Sequence, residues 1–287
     1  SDPQIIQPYL SDESKVTGQA QSISFPECEA EIREVLFAVR QAHQTLTVQG
    51  ARTGITGGAV PTGGHILNLS KLNRITGMGW DAERNCFLLS VQPGVQLNQL
   101  NKAIAEKSFD TTGWSAQAQS ALRRFQQSGA WFLPADITET TASIGGMVST
   151  NASGAKSYRY GSMRRHVLGL RLLLANGKSL SLHRGEQFAH GRQFSLRLDD
   201  GSQITGQLPA YQMPQVKNAS GYYVHENMDL IDLFIGSEGT LGIVTEVTLA
   251  LAPQPGFTWG MMAFFTREQN ALAYVHALRA LPQAEQP

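Results

Sequence analysis

Three glycine-rich stretches stand apart in this sequence: GARTGITGG at 50–58, SIGGMVSTNASG at 143–154 and GSEGTLG at 236–242. Glycine has no Cβ, so the backbone can approach a ligand closely and successive N–H groups can form a concave nest for anionic oxygens. Such a nest binds phosphate without basic side chains. A single loop of this kind is as readily a tight turn that needs a positive φ, but three in one chain favour a ligand with several phosphate oxygens, such as a dinucleotide. In the second stretch Ser143 is a candidate N-cap and 144–148 a first helical turn, whose free N–H groups would face a pyrophosphate. Asn151, Ser153 and Gly154 would close that loop.

Other chemistries find less support. The spacing G-x-G-x-x-G occurs in none of the three loops, and Gly177-Lys178-Ser179 imitates a Walker A ending but has Leu172 where that motif needs glycine. It reads as a hairpin turn. His183, His190 and His225 are spaced unlike a metal site, so no metal is expected. Cys28 and Cys86 lie far apart with no partner spacing and read as reduced core residues. Met261 and Met262 read as core filling, and the adjacent Arg164 and Arg165 either meet a phosphate or form a solvated pair.

Lys plus Arg number 23 and Asp plus Glu 23, so there is no net positive field to gather nucleic acid or anionic lipid. With 287 residues, 41% of them hydrophobic, the chain can bury one or two cores. No apolar stretch reaches bilayer length and no signal-peptide pattern opens the chain, so the expectation is a cytoplasmic protein, at most peripheral to a membrane.

The elements that must position the loops alternate between helix and strand, an α+β pattern. Pro26 at a first helical position, followed by Glu27, Glu29 and Glu31 and then Ile32, Val35, Leu36, Val39 and Ala42, predicts an amphipathic helix from Phe25. Strands are predicted over 46–48, 66–69, 86–91 and 242–251, and a helix over 95–107 with Leu97, Leu100 and Ile104 on one face. Residues 114–130 predict an inserted surface helix. The pair Asn176-Gly177 predicts a tight hairpin turn between 167–175 and 179–182, while 184–228 is too polar to assign. After Pro255 an apolar run at 259–265 and a helical stretch at 268–281 read as a new domain that is cut short.

These segments carry a resemblance. GARTGITGGAVP at 50–61, LPADITETTASIGGMVSTNASGAKSYRYGSMRRHVLGL at 133–170 and GYYVHENMDLIDLFIGSEGTLGIVTEVTLALAP at 221–253 resemble the FAD-binding domain of the vanillyl-alcohol-oxidase, or PCMH-type, flavoprotein family. The similarity is to its glycolate oxidase and D-lactate dehydrogenase (FAD-linked oxidase) branch, over about 25–253. The implied fold is two α+β subdomains with FAD between them, over 1–92 and 93–254, plus the truncated start of a cap domain at 255–287. The resemblance implies FAD contacts at Gly54, Ile55, Thr56, Gly57 and Gly58. It implies further contacts at Pro134, Asp136, Gly145, Gly146, Thr150, Asn151, Ser153, Gly154 and Tyr160, and at Glu238, Gly239, Gly242, Ile243 and Val244.

The chain departs from the family at its first loop, where relatives read Arg-Gly-Ala-Gly-Thr-Gly and this sequence has Gln49 and Arg52 at the first and fourth places. Arg52 beside a phosphate would add a salt bridge or crowd the loop. That loop holds no histidine or cysteine for a covalent flavin bond, which implies non-covalent FAD. Residues 111–133 are longer than this branch has and would remodel the flavin edge or a partner surface. The implied activity is oxidation of a 2-hydroxy acid such as D-lactate or glycolate by hydride transfer to flavin N5. The catalytic base is expected on a missing cap domain or partner subunit, and none is assigned here. A non-catalytic FAD-binding subunit passing electrons to a redox partner is the alternative, and a domain that has lost its cofactor a third.

Overall fold

The computed structural model describes residues 3–135 and 137–281. The first predicted helix forms over Glu29–Gln41, three residues later than Pro26 indicated, because Cys28 takes the extended N-cap conformation and Glu29 and Glu31 fill the first turn. Carboxylates are favoured there by the positive end of the helix dipole. Cys28 is therefore exposed, contrary to its reading as a core residue, while Cys86 is buried. Ile32 and Leu36 bury the inner face of the helix in a cluster with Leu67, Leu69, Leu72, Leu173 and Ile243.

That helix follows one strand of a parallel sheet and leads into another. The sheet's order is Ser22–Ser24, His65–Asn68, Leu46–Gln49. The middle strand ends at Asn68, whose side chain accepts from the Ser70 N–H and starts a short 3-10 turn over Leu69–Lys71. The chain then crosses to a five-stranded antiparallel sheet ordered Ile75–Asp81, Cys86–Val91, Ile243–Ala250, Val167–Leu173, Ser179–His183. The change of sheet thus falls before Ile75. On the core face of the second sheet, Leu89, Val247 and Leu249 are fully buried, as strand alternation in 86–91 and 242–251 requires.

The helix predicted over 114–130 forms over Ala116–Gln127, with the Ser115 hydroxyl capping it from the Ala118 N–H. It is no mere surface insertion. Ala118, Leu122 and Phe125, spaced on one face, are buried, and the Phe125 ring meets Phe87 edge-on at 5.1 Å. Large apolar side chains buried in this way contribute about 1.5–3 kcal/mol each, so this helix belongs to the main core. Leu97–Glu106 forms within the predicted span and buries Leu97, Leu100 and Ile104.

The hairpin between Val167–Leu173 and Ser179–His183 forms, but not with the tight two-residue turn that Asn176-Gly177 implied. Only Gly177 has a positive φ, and the bonds from Gly177 N to Leu174 O and from Leu174 N to Lys178 O close a three-residue loop. The unassigned polar stretch contains a second hairpin, Gln193–Arg197 with Gln203–Gln207. His183, His190 and His225 are exposed, and no metal-holding group of His, Cys, Asp and Glu occurs among the described residues.

One compact unit runs to Gln254 and a second begins at Pro255. In the second, the apolar run at 259–265 is irregular chain without a strand, and the helix Glu268–Ala280 is present. No helix among the described residues is long and apolar enough to cross a membrane.

Candidate cofactor site

The three glycine loops, far apart in sequence, meet in space. Ser143 is the N-cap of the short helix Ile144–Ser149 and its hydroxyl accepts from the Gly146 N–H, which places the second loop as the Ser-Ile-Gly-Gly sequence required. The same hydroxyl accepts from the Ala51 N–H of the first loop at 3.3 Å. The third loop is joined to the end of that helix by two backbone bonds, Gly236 N–H to Val148 O and Glu238 N–H to Ser149 O, both 2.9 Å. The Gly145 N–H donates to Pro93 O and the Ile144 N–H to Val95 O, each at 2.8 Å, so with Gly146 paired to Ser143 the first-turn N–H groups are not free as the sequence implied.

Glycine serves two separate purposes here. A Cβ on Gly50 would lie 2.2 Å from the Ser143 Oγ, and one on Gly145 would lie 2.5 Å from the Pro93 Cβ. Both glycines are forced by close packing of loop on loop. At Gly54 and Gly239, by contrast, a Cβ would meet nothing within 4 Å. These positions face open space.

The open space is a cavity of about 240 Å³. Among the predicted residues its wall contains Gly54, Thr56 and Gly58 of the first loop, Gly145, Gly146 and Thr150 of the second, and Glu238, Gly239, Gly242, Ile243 and Val244 of the third. The others stand off the wall: Ile55 is exposed, and Gly57 has a φ of +77° and an added Cβ there would be near Ser14. Pro134 is buried in the turn after Trp131–Phe132. Ser153 and Gly154 are half-buried, with the Gly154 N–H donating to the Ser157 hydroxyl. The Tyr160 ring meets Phe132 edge-on at 5.3 Å. Asp136 lies outside the described residues.

Asn151 acts behind the wall. Its φ is +47°, and its Oδ1 accepts from the Ser162 hydroxyl at 2.9 Å and the Arg164 N–H at 3.0 Å. Arg164 is not a solvated residue as its sequence context implied. Its guanidinium donates to the carbonyls of Asp232 and Ile235, pairs with the Asp232 carboxylate at 3.2 Å and lies 4.1 Å from the centre of the Tyr223 ring. Arg184 pairs with the same carboxylate at 2.9 Å. This network braces the third loop against the second. The partners are 68 to 71 positions away in sequence, so no local pattern announces it.

Sequence reasoning also passed over Pro93, Glu139, Ser149 and Thr53, which line the cavity. A carboxylate and two hydroxyls flanking the glycines were the only signal. Glu139 accepts from the Thr141 hydroxyl at 2.6 Å and the Thr141 N–H at 2.8 Å, and these bonds hold its carboxyl below the ordinary range. The described wall thus carries two carboxylates, Glu139 and Glu238, and one cation, Arg52.

Three glycine loops, small side chains and hydroxyls around space cleared by glycine make a lining that can admit a nucleotide-like cofactor. The family model described as FAD binding domain matches residues 20–122 and 108–183, together more than half of the chain, and the chain belongs to that family. Its relatives include a D-lactate dehydrogenase of Anaerostipes hadrus, 29% identical over 95% of this chain and 45% of that protein. A mitochondrial D-2-hydroxyglutarate dehydrogenase of Rattus norvegicus is 28% identical over 84% of this chain and 34% of its own length. The glycolate oxidase subunit GlcD of Bacillus subtilis is 27% identical over 82% and 37%. The chain spans less than half the length of these relatives.

Proposed function

We propose that this chain is the FAD-holding part of a flavin-dependent dehydrogenase or oxidase acting on a 2-hydroxy acid. The observation that carries the reading is the meeting of three glycine loops around one cavity in a member of the FAD binding domain family. The substrate class rests on relatives named for D-lactate, D-2-hydroxyglutarate and glycolate. The two subdomains, expected over 1–92 and 93–254, are read here with their boundary before Ile75, where the chain passes from the parallel to the antiparallel sheet, and residues from 255 onward belong to the substrate domain.

In this reading the backbone of 54–58 binds the diphosphate, the Thr56 hydroxyl adds a donor, Gly145, Gly146 and Thr150 line the cavity beside it, and 238–244 forms a further wall. Ile55, Gly57, Pro134, Asp136, Asn151, Ser153, Gly154 and Tyr160 shape or flank the remainder of the site. Non-covalent binding is part of this reading, because the first glycine loop, 50–58, contains no histidine or cysteine. When bound, the isoalloxazine ring accepts a hydride equivalent from substrate. This chain's residues orient the cofactor and exclude water along its phosphates. Removal of the substrate hydroxyl proton belongs to residues outside this cavity.

The test is to load the purified chain with FAD and mix it anaerobically with D-lactate, D-2-hydroxyglutarate or glycolate. The reading expects stoichiometric FAD uptake and no enzymatic bleaching of the flavin absorbance by the chain alone. Rapid bleaching would put the substrate site within this chain, and failure to take up FAD would overturn the reading.

A further inference from the structure

Arg52 occupies a conformation that its side chain does not favour. Its φ is +60°, in the left-handed region that L residues other than glycine, asparagine and aspartate seldom adopt. The surroundings fix it there: its carbonyl accepts from the Glu13 N–H at 3.2 Å, and its guanidinium lies 4.5 Å from the centre of the Tyr9 ring. Tyr9 is itself held. Its carbonyl accepts from the buried Gln49 side chain at 2.8 Å, and its ring meets Phe25 edge-on at 5.2 Å.

Among the described residues no carboxylate lies within salt-bridge distance of Arg52. Yet it lines the cavity as the sole described cation, on a wall that also carries Glu139 and Glu238. A diphosphate entering a cavity with two carboxylates meets repulsion that glycine N–H dipoles alone must offset. A guanidinium at the rim changes that balance, because its planar fork matches phosphate oxygens and it is always charged. A guanidinium over a ring can still donate from its N–H groups, so the Tyr9 contact does not prevent a phosphate contact.

We propose that Arg52 is the charge partner of the cofactor's diphosphate, held at the cavity rim by Tyr9, so that the segment before Asp12 helps set cofactor affinity. The inference rests on the FAD reading above. It decides between the two roles open to Arg52 from sequence, a salt bridge or a crowded loop, in favour of the first.

The test titrates FAD and, separately, ADP into the cofactor-free 287-residue chain at low and high salt, for wild type, Arg52→Gln, Arg52→Lys and Tyr9→Leu, with thermal unfolding as a control for folding. Loss of one charge-assisted phosphate contact weakens binding by about ten- to a hundredfold. Arg52→Gln is expected to weaken FAD and ADP by the same factor in that range and to flatten the salt dependence, since the screened charge is gone. Arg52→Lys retains the salt dependence with a smaller loss, and so does Tyr9→Leu. Equal or tighter binding by Arg52→Gln, or a salt dependence unchanged by it, overturns the inference while leaving the FAD reading intact. A wild-type chain that binds no FAD overturns both. Should Arg52→Gln not fold, an unchanged affinity in both Arg52→Lys and Tyr9→Leu also overturns it.

Discussion

The Ser143 hydroxyl accepts a hydrogen bond from the Ala51 N–H at 3.3 Å while it caps its own helix through Gly146. One oxygen therefore fixes the spacing of two glycine loops that are 92 positions apart. Ser143→Ala is expected to cost about 1 kcal/mol, the usual worth of an N-cap, and to lower the unfolding midpoint by about 2–4 °C. FAD affinity should fall as well, because the loops lose their common partner. An unchanged midpoint in a thermal scan would show that the cap is not used.

The two uses of glycine separate in a paired comparison. Gly145→Ala forces a methyl against Pro93 and should destabilise the fold by about 1–3 kcal/mol, as overpacking does. Gly54→Ala puts its methyl into open space, so the urea midpoint should stay near wild type while FAD binding weakens about tenfold or more. The opposite ranking of the two variants in stability would contradict the packing described.

Asp232 is the shared carboxylate of Arg164 and Arg184, with all three side chains largely buried. Asp232→Asn leaves two guanidinium groups with, among the described residues, Asp229 as the remaining carboxylate, 3.8 Å from Arg184. Removing one partner of a buried ion network costs about 3–5 kcal/mol, and denaturant unfolding should read a loss of that order. A loss below about 1 kcal/mol would mean that the network is no brace for the third loop.

His166 is buried, and among the described residues its Nε2 has no partner. Burial, with the Arg165 charge second, lowers its pKa to about 4 from 6.5. The folded value lies below the unfolded one, so as pH falls the unfolded chain takes up the proton first. Stability from this group is complete above about pH 6.5 and declines as pH falls toward about 4, by up to about 3 kcal/mol. His166→Gln should flatten that part of the stability profile. A slope identical to wild type would assign the acid sensitivity elsewhere.

Much of the site was legible because glycine is a costly choice except where packing or φ demands it, and Ser143 before Ile-Gly-Gly is a capping signal that needs no tertiary context. The strand Ile243–Ala250 was legible for a related reason: alternation reports which face is buried. The helix Ala116–Gln127 was misread as a surface feature since only Leu122 and Phe125 are large, and their burial depends on Phe87 in a distant strand. The hairpin Gln193–Arg197 with Gln203–Gln207 shows weak patterning because most of its residues are exposed. Arg164 was misread because its partners come from the far end of the unit. Long-range polar networks leave no local period to detect.

The most direct measurement is the visible spectrum of the chain purified without added cofactor, followed by acid precipitation. The account expects a flavin spectrum whose yellow chromophore passes into the supernatant as intact FAD. A colourless protein that also fails to take up added FAD, or a chromophore that stays with the precipitate, would contradict it.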